Sequence, residues 1–152
     1  MGDKEIMETS IIIPTKCINA HINRCLIALY NNTDLSNKEI ILIDDNSNSE
    51  SIKQLSGMRN VKILKPFFNE FSFSAMINSG IAEAQGEKII ILNDDIIVTS
   101  DWYDKLNNVL NSGYSLAAPL RLRGTFGIKQ WIDAAMYENQ TKPLELKQLA
   151  YQ

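Results

Sequence analysis

Apolar runs of four or five residues alternate with stretches whose apolar residues recur at helical spacing. Ser10-Ile11-Ile12-Ile13 is a β-branched run stopped by Pro14, the pattern of a buried strand ending in a turn. Ile22, Cys25, Leu26, Leu29 and Tyr30 then fall at i, i+3, i+4, i+7 and i+8, one face of a helix closed by Asn31-Asn32-Thr33-Asp34. Ile40 to Ile43 predicts a second strand, ending in the polar burst Asp44-Asp45-Asn46-Ser47-Asn48-Ser49. A short helix around Glu50 to Leu55 leads to a third strand, Val61 to Leu64. Phe73, Met76, Ile77, Gly80, Ile81 and Ala84 repeat the helical stripe, with Ser72 or Ser74 as its cap and Gly86 at its C-terminal end. Ile89 to Leu92 predicts a fourth strand, followed by Asn93-Asp94-Asp95. A helix starting near Ser100 or Asp101 is expected to bury Trp102, Leu106, Val109 and Leu110. A short fifth strand is expected at Ser115 to Ala118, then helices at Ile128–Tyr137 and Leu144–Ala150.

Strand alternating with helix calls for right-handed crossovers and a mostly parallel sheet covered by helices on both faces. In such α/β sheets ligands bind beyond the carboxyl ends of the strands. Polar clusters follow three strands directly: Thr15-Lys16, Asp44-Asp45 and Asn93-Asp94-Asp95. All three are expected to converge on one rim.

Composition narrows the picture without redirecting it. The 152 residues are 45% hydrophobic and 22% charged, which suits a single globular domain with its own core. A net charge of −3 provides no positive field for nucleic acid, so that partner is not expected. The longest wholly apolar run is far short of the ~20 residues that span a bilayer, and Met1 to Glu8 lacks a secretory signal's apolar run. Cys17 and Cys25 match no zinc or redox spacing and are expected as buried thiols in a reducing compartment. The expectation is a cytoplasmic protein, with a peripheral position at the inner face of the membrane left open.

The chemistry resides in the rim clusters. Four aspartates near one edge repel one another unless something cationic or hydrogen-bonding lies among them. A divalent magnesium or manganese ion carrying a diphosphate meets that need, since such ions take one or two carboxylates together with phosphate oxygens. No Walker sequence and no GxGxxG follows the first strand, so a nucleotide would be held through a metal and through base and ribose contacts. The competing reading is that Asp-Asn-Ser clusters after strands are turn formers and helix caps. His21 reads as a surface or capping residue, Arg121, Arg123 and Lys129 as a solvated loop, and Phe67, Phe68, Phe71 and Phe73 as core packing.

Three segments in order, Ser10 to Thr15, Glu39 to Ser47 and Gly86 to Asp95, resemble the family 2 glycosyltransferases of the GT-A fold. The intervening Phe73-Ser74-Ala75-Met76-Ile77-Asn78 helix matches too, and the resemblance covers roughly residues 9 to 125. It implies a donor-binding domain for a nucleoside-diphosphate sugar, a UDP-sugar foremost. Pro14, Thr15 and Lys16 would line the nucleotide pocket, and Asp45 would accept a hydrogen bond from the base, with Asp44 structural. Ser74 and Asn78 would lie beside the nucleotide. Asn93-Asp94-Asp95 stands in the place of the family's DxD motif: Asp95 would ligate the metal and Asp94 would face the ribose or sugar. Asn93 replaces the first aspartate of that motif, which removes one charge.

Relatives continue into an acceptor half that supplies a carboxylate base, and nothing after Asp95 resembles it. Asp101 and Asp104 belong to a solvated helix side, and Asp133, Glu138 and Glu145 have no matching context. The expected architecture is therefore a GT-A, Rossmann-like sheet truncated after the donor half. The expected activity is sugar transfer to an acceptor hydroxyl. The alternative is a non-catalytic GT-A-like binding module that relies on a partner chain or a second copy. An open sheet edge, with Trp131 and Leu144 to Leu149 as contacts, would favour such association. A response-regulator-like domain would want a phospho-acceptor aspartate after the third strand, where Leu64-Lys65-Pro66 has none.

Overall fold

A computed structural model describes residues 7–16, 20–45, 49–66 and 72–119. The elements in chain order are β1 (Thr9–Thr15), α1 (Ala20–Asn32), β2 (Lys38–Asp44), α2 (Ser49–Ser56), β3 (Val61–Leu64), α3 (Phe73–Glu83), β4 (Lys88–Ile91) and α4 (Trp102–Asn111). The chain divides into two compact units, Met1–Val98 and Thr99–Gln152. Among the described residues no helix is long and apolar enough to cross a membrane.

The first unit holds one four-stranded sheet in the order β3-β2-β1-β4, parallel at every pairing. Ile11, Ile12, Ile13, Ile40, Ile41, Leu42 and Ile43 have no exposed surface. Each such side chain contributes about 1.5–3 kcal/mol through burial, so β1 and β2 are the centre of the core. The crossovers through α1 and α2 step the sheet in one direction, and the α3 crossover returns across β2 and β1 to β4. Right-handed connections therefore put α1 and α2 on one face and α3 on the other. Ile12, Ile41 and Ile43 pack against Met76 and Ile77 of α3. Strand alternation turns Ile11, Ile13 and Leu42 to the opposite face, the side of the buried α1 stripe Ile22, Cys25, Leu26 and Leu29.

Several local expectations are corrected. Pro14 does not stop β1 but lies within it, in register with Ile43. The carbonyl of Ile12 accepts from the Leu92 N–H on the β4 side, and pairing with β4 ends there. Two residues on, the missing Pro14 N–H falls on that same side past the end of the ladder, where nothing is lost. Gly86 does not cap α3: the cap is Ala84, whose N–H reaches the carbonyl of Ile81. Gly86 instead passes against the backbone of Thr9 and Ser10, where a Cβ would stand 2.4 Å from the Ser10 nitrogen. At the other end of α3 the cap is Ser72, accepting from the Ala75 N–H at 3.3 Å.

Phe73 is 47% exposed and not a core residue, because it occupies the first, outward turn of α3. In the second unit α4 forms where its periodicity places it, but none of its residues is buried and Val109 is exposed. An amphipathic stripe predicts a helix, and burial needs an opposing surface as well. Residues 115–118 form no strand, and Leu116 is 82% exposed. Ser and Ala have little preference for extended pairing, and the single Leu cannot anchor a ladder. The expectations for Cys17, Phe67, Phe68, Phe71, Arg121, Arg123, Lys129, Trp131, Asp133, Tyr137, Glu138, Glu145 and the two C-terminal helices lie outside the described residues.

Candidate functional site

The order β3-β2-β1-β4 sets the carboxyl end of β1 beside that of β4, at the edge of the sheet where ligands bind in open α/β folds. Thr15, the last residue of β1, ties the polar clusters together there. Its Oγ1 donates to Asp94 Oδ2 at 2.7 Å, and its carbonyl accepts the Asp45 N–H at 3.1 Å. Residues from three separate strand ends thus meet through one threonine. Lys16 follows it directly and is exposed.

The four aspartates differ in environment. Asp44 ends β2 fully buried, with the Lys65 ammonium 3.7 Å from its Oδ2. A buried carboxylate needs such a partner. Asp45 and Asp94 are half-buried, whereas Asn93 and Asp95 are exposed. The step after β4 therefore presents one carboxylate held by the protein and one open to solvent. Ser74 and Asn78 are both exposed on α3, four residues apart and so on one helix face. As a crossover helix running against the strands, α3 starts at this same end of the sheet. His21 is exposed at the start of α1, and Asp101 and Asp104 are exposed around the start of α4.

Sequence reasoning missed two residues here. Lys65 compensates Asp44, and only the β2–β3 register brings them together. Cys25 lies beneath the turn after β4, its thiol 3.8 Å from the Asn93 carbonyl. Burial pushes this thiol up to about 12, helped by the negative charges of Asp94 and Asp95. At neutral pH it stays protonated, donates to Asn93 and adds no charge to an acidic rim. The unfolded thiol ionises from about pH 9 and the folded one does not, so Cys25 ionisation favours unfolding as pH rises above that value. Alkylation of Cys25 by iodoacetamide at pH 8, mapped by mass spectrometry, should be slower in the folded than in the urea-unfolded protein by on the order of 100-fold or more, since the thiolate is the reactive form. Equal rates in the two states would contradict the buried, protonated thiol.

Comparison with known proteins now settles the family. The sequence profile described as Glycosyl transferase family 2 matches residues 10–151. The chain belongs to glycosyltransferase family 2. An uncharacterized glycosyltransferase of Haemophilus influenzae is 31% identical over 104 residues, 66% of this chain and 41% of that protein. The uncharacterized protein y4gI of Sinorhizobium fredii is 29% identical over 103 residues, 64% of this chain and 11% of that protein. Residues 1–349 of S. aureus TarS superpose with a TM-score of 0.60 at 18% identity, over 70% of this chain and 33% of that one. The same TarS fragment is known in complex with UDP-GlcNAc and with UDP, with TM-scores of 0.60 and 0.61. At that identity the likeness is one of fold, the GT-A architecture. This glycosyltransferase family 2 domain spans less than half the length of each of these relatives.

Proposed function

We propose that this family 2 domain binds a nucleoside-diphosphate sugar at the rim between β1 and β4, with UDP as the preferred nucleotide, and donates the sugar, of the hexosyl class, to an acceptor hydroxyl. The observation that carries the reading is the hydrogen bond from Thr15 to Asp94, which ties the ends of β1 and β4 into one acidic rim. The complexes of the TarS fragment with UDP-GlcNAc and UDP support it by fold. Lys16 lines the nucleotide pocket, above the buried end of β1, where Pro14 and Thr15 support it from beneath. Asp45 accepts a hydrogen bond from the base, Asn93 and Asp94 face the ribose and sugar, and Ser74 and Asn78 flank the nucleotide.

The donor set also suits a divalent ion. Among the described residues there is no group of three or more His, Cys, Asp or Glu side chains that would hold a metal unaided. Magnesium and manganese sites shared with phosphates use one or two protein carboxylates, and the exposed Asp95 beside Asp94 offers that many. A bound ion supplies charge neutralisation to the departing diphosphate. The protonated Cys25 and the paired Asp44 keep further negative charge away from that diphosphate.

Thermal unfolding with UDP, GDP, CDP and ADP, each with manganese or with EDTA, tests the reading. UDP at 100 times its dissociation constant stabilises by about 2.7 kcal/mol. For a chain of this size that raises the midpoint by about 5–10 °C. The rise should be larger with manganese than with EDTA. Absence of a shift with every nucleotide, in both conditions, would overturn the proposal.

A further inference from the structure

Resting on the donor-site reading above, we propose that Thr15 is a positioning residue, acting on the donor through Asp94 and not by touching it. Thr15 is only 2% exposed, so its hydroxyl has almost no surface to offer a ligand. Its one-proton donor is instead spent on Asp94 Oδ2 at 2.7 Å, the short length of a charge-assisted hydrogen bond. The bond runs from the end of β1 to the turn after β4. Below it, the backbone bond from the Leu92 N–H to the Ile12 carbonyl is the last link that holds β4 to β1. Beyond that link the turn at residues 93–95 leaves the sheet, and Thr15 reaches it from β1.

With one oxygen held, Asp94 has a fixed carboxylate plane and one oriented oxygen for a donor hydroxyl. The same fixation sets the backbone from which Asp95 projects. Cys25 supports the turn from α1 through the Asn93 carbonyl, at the longer range of a thiol donor. Two elements therefore hold the acidic step, and Thr15 is the one that acts on a carboxylate. Outer-shell partners that orient the ligands of a metal site typically cost about 10–100-fold in metal affinity or activity when removed, and a loss of similar scale is expected for Thr15.

The test is a double-mutant cycle read by calorimetric titration of UDP in the presence of manganese. Thr15→Val keeps the β-branched shape and removes the hydroxyl, and Thr15→Ala serves as the second variant in case valine is not accommodated. Either should weaken UDP binding at least about tenfold, by the effect of such orienting groups. Thr15→Ser retains the donor and should recover most of the affinity. In an Asp94→Ala background, Thr15→Val should have little further effect, because its action passes through the removed carboxylate. Unchanged affinity in Thr15→Val and Thr15→Ala, with a wild type that binds UDP, would overturn the positioning role alone. Full additivity with Asp94→Ala would also overturn it, by showing that Thr15 contacts the nucleotide directly. A wild type that does not bind UDP in either metal condition would overturn the donor-site reading and this proposal with it.

Discussion

Gly86→Ala is expected to destabilise the fold by about 3 kcal/mol or more, above the usual range for an added methyl in a packed interior. A Cβ at this position would stand 2.4 Å from the Ser10 nitrogen, 2.5 Å from the Thr9 carbonyl carbon and 2.7 Å from the Thr9 Cα. All three are backbone atoms of β1, a strand paired on both sides, so no side chain can swing away to make room. The same turn also carries a buried polar chain. The Gly86 N–H donates to Ser10 Oγ at 2.8 Å, Ser10 Oγ donates to Glu39 Oε1 at 2.6 Å, and the Gln85 N–H reaches the same Glu39 oxygen at 2.7 Å. Ser10 and Glu39 are both buried, so displacing residue 86 leaves polar groups without partners as well as creating a clash. Against a total stability of about 5–15 kcal/mol this is a large fraction. Urea unfolding followed by far-UV circular dichroism measures it, with Gly57→Ala as control because nothing lies within 4 Å of a Cβ there. A Gly86→Ala protein within about 0.5 kcal/mol of wild type, the scale of an ordinary surface substitution, would show that β1 and the turn separate freely.

Gly86 also marks where the sequence ceases to be legible. Its offset from the α3 stripe matches a helix C-cap, and nothing local distinguishes that role from a close approach to β1, 76 residues earlier in the chain. The central strands are legible because the unbroken apolar runs of β1 and β2 are buried on both faces, whereas the Ile run of β4 lies at the sheet edge with Ile89 and Ile91 exposed. Pro14 misleads as a strand end because the side on which a missing N–H falls depends on where β4 stops pairing. Residues 115–118 mislead in the opposite sense, a short apolar hint without the β-branched residues that make one pair. For the site, the polar bursts after β1, β2 and β4 could be assigned to one rim from crossover handedness alone. The bond between Thr15 and Asp94, across 79 positions, could not. Nor could the differing exposure of Asp94 and Asp95, which are chemically identical neighbours in the sequence and separate only once the turn after β4 has a direction.

That difference in exposure underlies the largest functional effect expected. Asp95→Ala should reduce UDP affinity in manganese by about 10–100-fold or more, since losing the ligand costs no less than losing the groups that orient it. In EDTA the same variant should bind UDP as the wild type does. Asp45→Ala should behave differently. Removing a charged hydrogen-bond acceptor from the base costs about 1.5–3 kcal/mol, or about tenfold to 150-fold, with manganese and without it. Neither change should alter the thermal midpoint much. Asp95 is exposed, and the bond that anchors Asp45 to Thr15 is made by its backbone N–H, which alanine retains. Calorimetric titration of the two variants in both conditions separates the roles: a metal ligand loses the manganese-dependent part, a base acceptor loses a constant factor. If Asp95→Ala keeps the full manganese dependence, the ion is held elsewhere. If Asp45→Ala lowers the melting temperature sharply while UDP affinity stays normal, its carboxylate caps the turn after β2 and the base is recognised by other residues.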